Sequence, residues 1–139
     1  MNQYTYDDWE CGKGWTHLIA PIIDQINLWN NTASDEEQIE IFQIKEKWGA
    51  LEVYLHNVPE KLSNTLDDMI SNARLESMQT CEVCGTKDEV GTTLKGWIFP
   101  ICKSCLKTSI NNHVPARFWS YNGKIYKVTA AGIEENINN

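Results

Sequence analysis

The chain has 139 residues, 42% of them apolar and 22% charged, with a formal net charge of -7. That is enough apolar chain for one ordinary domain, or for one domain with a small appended module, and it excludes wholesale disorder. No apolar run approaches the roughly 18 residues of a membrane-spanning helix, and the acidic first ten residues lack a basic and apolar leader, so a cytoplasmic protein without a membrane partner is expected.

Asp7, Asp8 and Glu10 lie among Tyr4, Tyr6 and Trp9, a polar and loosely ordered lead. Gly12-Lys13-Gly14 breaks the chain. Thr16 then reads as the N-cap of a helix to about Trp29, with Leu18, Ile19, Ile22, Ile23, Ile26 and Trp29 on one stripe. Pro21 removes an amide donor and predicts a kink or a later start. Ile39, Ile41 and Gln43 alternate with Glu40, Phe42 and Ile44, a strand buried on at least one face. Leu51, Val53 and Leu55 alternate likewise, and residues 45–50, with Gly49 as the permissive position, turn the chain between them into an antiparallel hairpin. Pro59 at the first helical position opens a second helix, whose apolar face is Leu62, Leu66, Met69, Ile70 and Ala73. Glu60, Asp67, Asp68 and Glu76 fall on its wet face.

Charge divides the chain. Residues 1–79 carry five Lys/Arg against fourteen Asp/Glu, a net of -9, whereas residues 80–139 carry seven against five, a net of +2. The division falls just before Cys81, the expected boundary between an acidic α+β domain (1–79) and a metal-binding module with its tail (80–139).

That module holds four of the five cysteines, as Cys81-x-x-Cys84 and Cys102-x-x-Cys105, with 17 residues between the pairs. The spacing is that of a zinc site: two residues between cysteines let both thiolates face one cation, and two such knuckles complete a tetrahedron. Gly85 supplies the positive φ that a knuckle requires. Two disulfides are the alternative, disfavoured in a reducing cytosol. A redox-active pair needs only one Cys-x-x-Cys, and iron fits the same sulfur cage. Four thiolates leave no open coordination position, so one structural zinc ion is the expectation. Cys11 reads as a part-buried thiol without chemistry. Residues 92–99 suggest a hairpin and 105–110 a short helix, the knuckle–hairpin–helix order of a zinc-ribbon or treble-clef-like module. Asn122-Gly123 between Phe118-Trp119-Ser120-Tyr121 and Lys124-Ile125-Tyr126-Lys127-Val128 signals a C-terminal β-hairpin. From Gly132 the tail reads as frayed. The expected class is α+β: an α-β-β-α front, a four-cysteine zinc module, then the hairpin.

Gly14-Trp15, Gln43-Ile44-Lys45-Glu46-Lys47-Trp48-Gly49 with Leu51 and Tyr54, Cys81-Glu82-Val83-Cys84-Gly85, and Gly96-Trp97 before Cys102-Lys103-Ser104-Cys105 together resemble a family of small bacterial and phage-type proteins with a C-terminal zinc ribbon. The resemblance covers roughly residues 11–106. It implies a helix–hairpin–helix front, a zinc ribbon and a bacterial or phage-infected setting, and it brings no known reaction. The hairpin at 117–128 lies beyond it.

No catalytic signature emerges. His17, His56 and His113 have no metal-binding spacing to one another and read as surface or hydrogen-bonded. A nucleobase deaminase needs His-x-Glu and Pro-Cys-x-x-Cys with an open metal position, but Ile101 separates Pro100 from Cys102 and Asn57-Val58 follows His56. His113 follows both cysteine pairs, the wrong order for a His-Asn-His nuclease. Phosphate-binding loops and nucleophile elbows are absent.

Function therefore falls to surfaces. Asp35, Glu36, Glu37, Asp67 and Asp68 read first as solvated acids, and second as a face that docks on a basic protein surface, as an inhibitor, immunity or antitoxin-like protein would. Trp48, beside Lys45-Glu46-Lys47, reads as a turn residue packed back on a helix or as a contact patch. The alternative partner is nucleic acid, taken by Trp119, Tyr121, Lys124 and Lys127 among the rings and cations of the second half. A net of +2 is thin for that role, and core packing accounts for most of the rings. An enzyme with an unrecognised site is the third reading.

Overall fold

The computed structural model describes residues 2–94, 96–110 and 117–136. Lys95 and His113 lie outside the described residues. A 3-10 turn at Lys13–Trp15 leads into α1 (Thr16–Asn30), and a second at Asp35–Glu37 into β1 (Glu40–Lys47) and β2 (Ala50–His56). There follow α2 (Glu60–Ser77), β3 (Val90–Leu94), β4 (Pro100–Cys102), α3 (Lys103–Ile110), β5 (Arg117–Tyr121), β6 (Lys124–Thr129) and β7 (Gly132–Glu135). The class is α+β, with a two-stranded sheet in the front half and a five-stranded antiparallel sheet in the order β4-β3-β5-β6-β7 behind it. No helix among the described residues is long and apolar enough to cross a membrane.

The front half closes on one core. Trp15, Ile19, Ile22, Ile23 and Ile26 meet Ile39, Ile41, Ile44 and Leu51 of the hairpin and Leu66 and Ala73 of α2. The helical stripes are those that the apolar periodicity marks out. Thr16 is the first helical residue rather than the cap: the 3-10 turn feeds directly into α1, and the Thr16 amide already donates to Lys13 O. Pro21 neither delays nor ends the helix. Its ring lies on the exposed side while Ile22 and Ile23 face inward, so the missing donor falls where water can serve the freed carbonyl. Pro59 is extended (φ -67, ψ 147) and precedes α2 rather than opening it.

Two features of the hairpin depart from plain alternation. The register slips between Ile41 and Gln43, a bulge that leaves Phe42 exposed against His56 and turns Ile44, not Gln43, into the core. The turn is also tighter than residues 45–50: Lys45, Glu46 and Lys47 pair with Glu52, Leu51 and Ala50, leaving only Trp48 and Gly49, both at positive φ. That geometry suits a two-residue hairpin, and it points the Trp48 ring outward.

The acidic lead is tied down rather than loose. Glu10 lies against β1, its amide donating to Ile44 O (3.0 Å) and its carbonyl accepting from Glu46 N (3.1 Å). Tyr4 exchanges hydrogen bonds with the Asn27 side chain (both 2.9 Å). Asn30, buried at the end of α1, donates to the carbonyls of Asn2 and Ile39 and accepts from Ile39 N (3.0, 3.0 and 2.8 Å). Asn30→Ala would orphan both polar groups of Ile39 inside the core. Its expected cost is about 2–4 kcal/mol, read as a lower urea midpoint at unchanged slope, and a loss below about 0.5 kcal/mol would refute this wiring.

The second half is more integrated than a module with an appended tail. β5 pairs with β3 as Thr92↔Ser120, Thr93↔Trp119 and Leu94↔Phe118, so the C-terminal hairpin extends the sheet of the cysteine unit. Asn122 and Gly123 form its turn, with φ 50 and 76. Residues 132–135 are not frayed, because β7 adds to β6. Cys81, Ile101, Cys102, Leu106, Trp119 and Val128 make a second core.

Candidate metal centre and neighbouring surfaces

Each cysteine pair is presented by a short local device. The first follows α2: Cys81 N donates to Thr86 O (2.8 Å) and Gly85 N to Cys81 O (2.9 Å), with Gly85 at φ +85. The second straddles the end of β4 and the first turn of α3, where Cys105 N points at Cys102 Sγ (3.4 Å). The β3–β4 pairing and a bond from Glu82 N to Pro100 O (3.0 Å) bring the two together.

The result is a sulfur cage. The four Sγ atoms of Cys81, Cys84, Cys102 and Cys105 lie within 4.8 Å of one another, and none is in a disulfide. Cys84 and Cys102 are 3.7 Å apart, close to the edge of about 3.8 Å expected for a tetrahedron with metal–sulfur bonds of about 2.3 Å. Burial pushes the Cys102 and Cys105 thiols up. At Cys81 burial is outweighed by the amides of Cys102, Cys84 and Val83 and by the Cys84 thiol, so that sulfur is held below the ordinary thiol range. Donor type, number and spacing fit a metal ion that these four residues could hold, with no position left for a reacting water. Cys11 stands apart from the cage. Burial, then the charges of Glu82 and Glu46, push its thiol up to about 12, so it stays protonated and unreactive at neutral pH.

The front half is stitched to this cage at the point where the sequence shows only a break. Gly14 N donates to Glu82 O (2.8 Å), Gly12 N to Glu82 Oε2 (2.7 Å) and Trp15 Nε1 to Thr80 O (3.0 Å). A Cβ on Gly14 would sit 2.2 Å from Cys81 O, so only glycine permits this approach. Glu82 itself carries no motif, being one of the two spacers of a Cys-x-x-Cys. The paired glycines around Lys13 are the one sequence signal of close backbone contact.

The remaining candidate residues scatter. Asp35, Glu36 and Glu37 are exposed beside the open end of the hairpin, where Asn57 Nδ2 donates to Glu36 O (2.8 Å). Asp67 and Asp68 are exposed on α2, and none of these five acids is in an ion pair among the described residues. Trp48 is at the other end of β1, roughly 25 Å away at about 3.4 Å per residue, and is 77% exposed. It is therefore not packed back into the fold, and it lies at the opposite end of the hairpin from Asp35–Glu37. Trp119 is 1% exposed and donates its indole N–H to Ile101 O (3.0 Å). It is a core residue with Tyr121 stacked at 5.0 Å, and it has no free ring face to offer a base. Lys124 faces Glu135 at 3.9 Å and Lys127 is opposite Glu134, so β7 offsets the cations of β6. His17 abuts Gly85, and His56 stacks on Phe42.

Comparison of the chain with family models, with curated proteins and with solved structures gives no match in any of the three.

Proposed function

We propose that the protein is a non-catalytic binding module: one zinc ion held by Cys81, Cys84, Cys102 and Cys105 staples its second half, and its acidic front docks on a basic partner protein. Zinc is the metal of choice for four thiolates in a tetrahedron within a chain that carries no other redox signature. The metal supplies folding energy, and its closed shell excludes Lewis-acid or water-activating work. The observation that carries the docking reading is the set of exposed carboxylates along Asp35–Glu37 and at Asp67 and Asp68, none in an ion pair among the described residues, on a half with a net charge of -9. Like charges held together on a folded surface cost stability through self-repulsion, and a cationic partner turns that cost into fast, oriented association. Such a role suits an inhibitor, immunity or antitoxin-like protein, consistent with the bacterial or phage-type resemblance.

Affinity capture with the metal-loaded protein should recover basic proteins at low salt, and fewer as salt rises. Asp67→Lys with Asp68→Lys should slow association at least about tenfold while leaving the dissociation rate nearly unchanged. Capture that is indifferent to salt and to charge reversal would overturn the acidic-face reading.

A further inference from the structure

An open cavity of about 610 Å³ lies where the Gly12–Lys13 turn meets the cysteine unit, lined by Glu82, Val83, Trp97, Phe99 and Arg117. Its volume falls within the range of about 300–1,000 Å³ typical of small-ligand clefts. Glu82 is only 9% exposed, and one carboxylate oxygen is satisfied by Gly12 N. The other, Oε1, is buried without a partner, and so is Nε of Arg117. These two are the buried side-chain atoms left unpaired among the described residues, and both belong to residues of this one cavity. A carboxylate and a guanidinium lining one cavity would ordinarily pair, yet no ion pair joins them among the described residues. Leaving such atoms unmade is costly, and native structures rarely do so without a reason.

Both atoms have almost no accessible surface, so a ligand meets them only once Glu82 and Arg117 turn their side chains into the cavity, where it must donate to Glu82, accept from Arg117 and cover apolar rings. Trp97 is 73% exposed on the cavity, and the Arg117 guanidinium lies 5.8 Å from the Phe99 ring centroid. A simple anion meets Arg117 and Lys13 but is repelled by Glu82. An amine does the reverse, and an apolar ligand leaves both polar atoms orphaned. A free amino acid carries both charges but fills only a fraction of the space.

We propose that this cavity binds a nucleoside phosphate: the N–H edge of the base donates to Glu82, the ring stacks on Trp97, and the phosphate is held by Arg117 and Lys13. Stacking on aromatic rings, an edge read by a carboxylate and a phosphate gripped by Arg are the general means by which single nucleotides are held. The net charge of -7 repels a long polyanion, which favours an isolated nucleotide over a strand. This site is separate from the acidic face, and either stands if the other fails.

The test titrates the metal-loaded full chain with the ribonucleoside monophosphates, the parent nucleosides, inorganic phosphate and a short single strand, reading tryptophan fluorescence and heat. At least one monophosphate should quench saturably, with its nucleoside and phosphate alone binding at least about tenfold more weakly. Glu82→Gln should weaken binding about tenfold. Trp97→Ala, at an exposed position that cannot threaten the fold, should remove most of the quench. Metal content and circular dichroism establish that each variant is folded. A strand that binds about a hundredfold tighter than any monophosphate would overturn the isolated nucleotide in favour of a strand end. No saturable binding by any probe, or binding untouched by both substitutions, would overturn the site.

Discussion

Cys102→Ser should abolish tight metal binding and unfold the second half of the protein. The residue is buried, its sulfur faces Cys84 at 3.7 Å, and it joins the end of β4 to α3. A structural zinc site contributes on the order of 10 kcal/mol to folding. The second core, six buried residues of which two are cysteines of the cluster, is too small to replace that. The variant should therefore lose the single equivalent of metal and the strand signal of β3 to β7, while the front half keeps its helices. A strong chelator acting on the native chain should have the same effect, reversed by adding zinc. Cys11→Ser, outside the cage, should leave metal content unchanged. A chelated protein that retained its full circular dichroism and melting temperature would refute a structural metal.

Trp15→Ala is expected to be the most damaging substitution outside the cage. Trp15 is 0% exposed, belongs to the front core, and reaches across to Thr80 O, next to Cys81, the first cysteine of the cluster. Truncating a buried tryptophan costs about 3–5 kcal/mol, and the orphaned Thr80 carbonyl adds to that. For a chain of this size the melting temperature should fall by roughly 10–20 °C. Trp15→Phe keeps one aromatic ring but loses the donor and the pyrrole part of the indole that bears it, so it should cost about 2–3 kcal/mol. Differential scanning calorimetry of the two separates the packing contribution from the hydrogen bond. Equal losses would mean that the bond, not the ring, holds the halves together, and a loss under about 1 kcal/mol in both would contradict the enclosed position.

The features that could be read ahead of the coordinates are those carried by short stretches of chain. Apolar side chains recurring three and four residues apart place α1 and the buried face of α2. Asn122-Gly123 marks its hairpin because both residues tolerate the positive φ that a two-residue turn imposes. The two Cys-x-x-Cys pairs point to one site because chelation geometry is itself local. The expectation of a packed Trp48 fails for an equally local reason: a two-residue turn leaves its first residue facing outward, whatever its hydrophobicity.

The rest depended on residues far apart in the chain. Nothing near Phe118 or Thr92 announces that β5 will pair with β3, since strand pairing is decided by which edges remain free once the core has closed. The bulge at Phe42 answers to the core, which needs Ile44 rather than Gln43 inward. Trp119 is equally suited by composition to stacking on a base, and only its enclosure by Ile101 and Val128 makes it core. Glu82 and Arg117, 35 residues apart, carry no shared motif, and only the docking of the Gly12–Lys13 turn against the cysteine unit sets them on one cavity. The sequence by itself determined the helices, the Asn122-Gly123 turn and the four-cysteine cluster, because backbone propensity and chelation spacing act over a few residues. The tertiary structure alone decided the five-stranded sheet, the burial of Trp119 and the Glu82–Arg117 cavity, because each depends on which distant surfaces exclude water together.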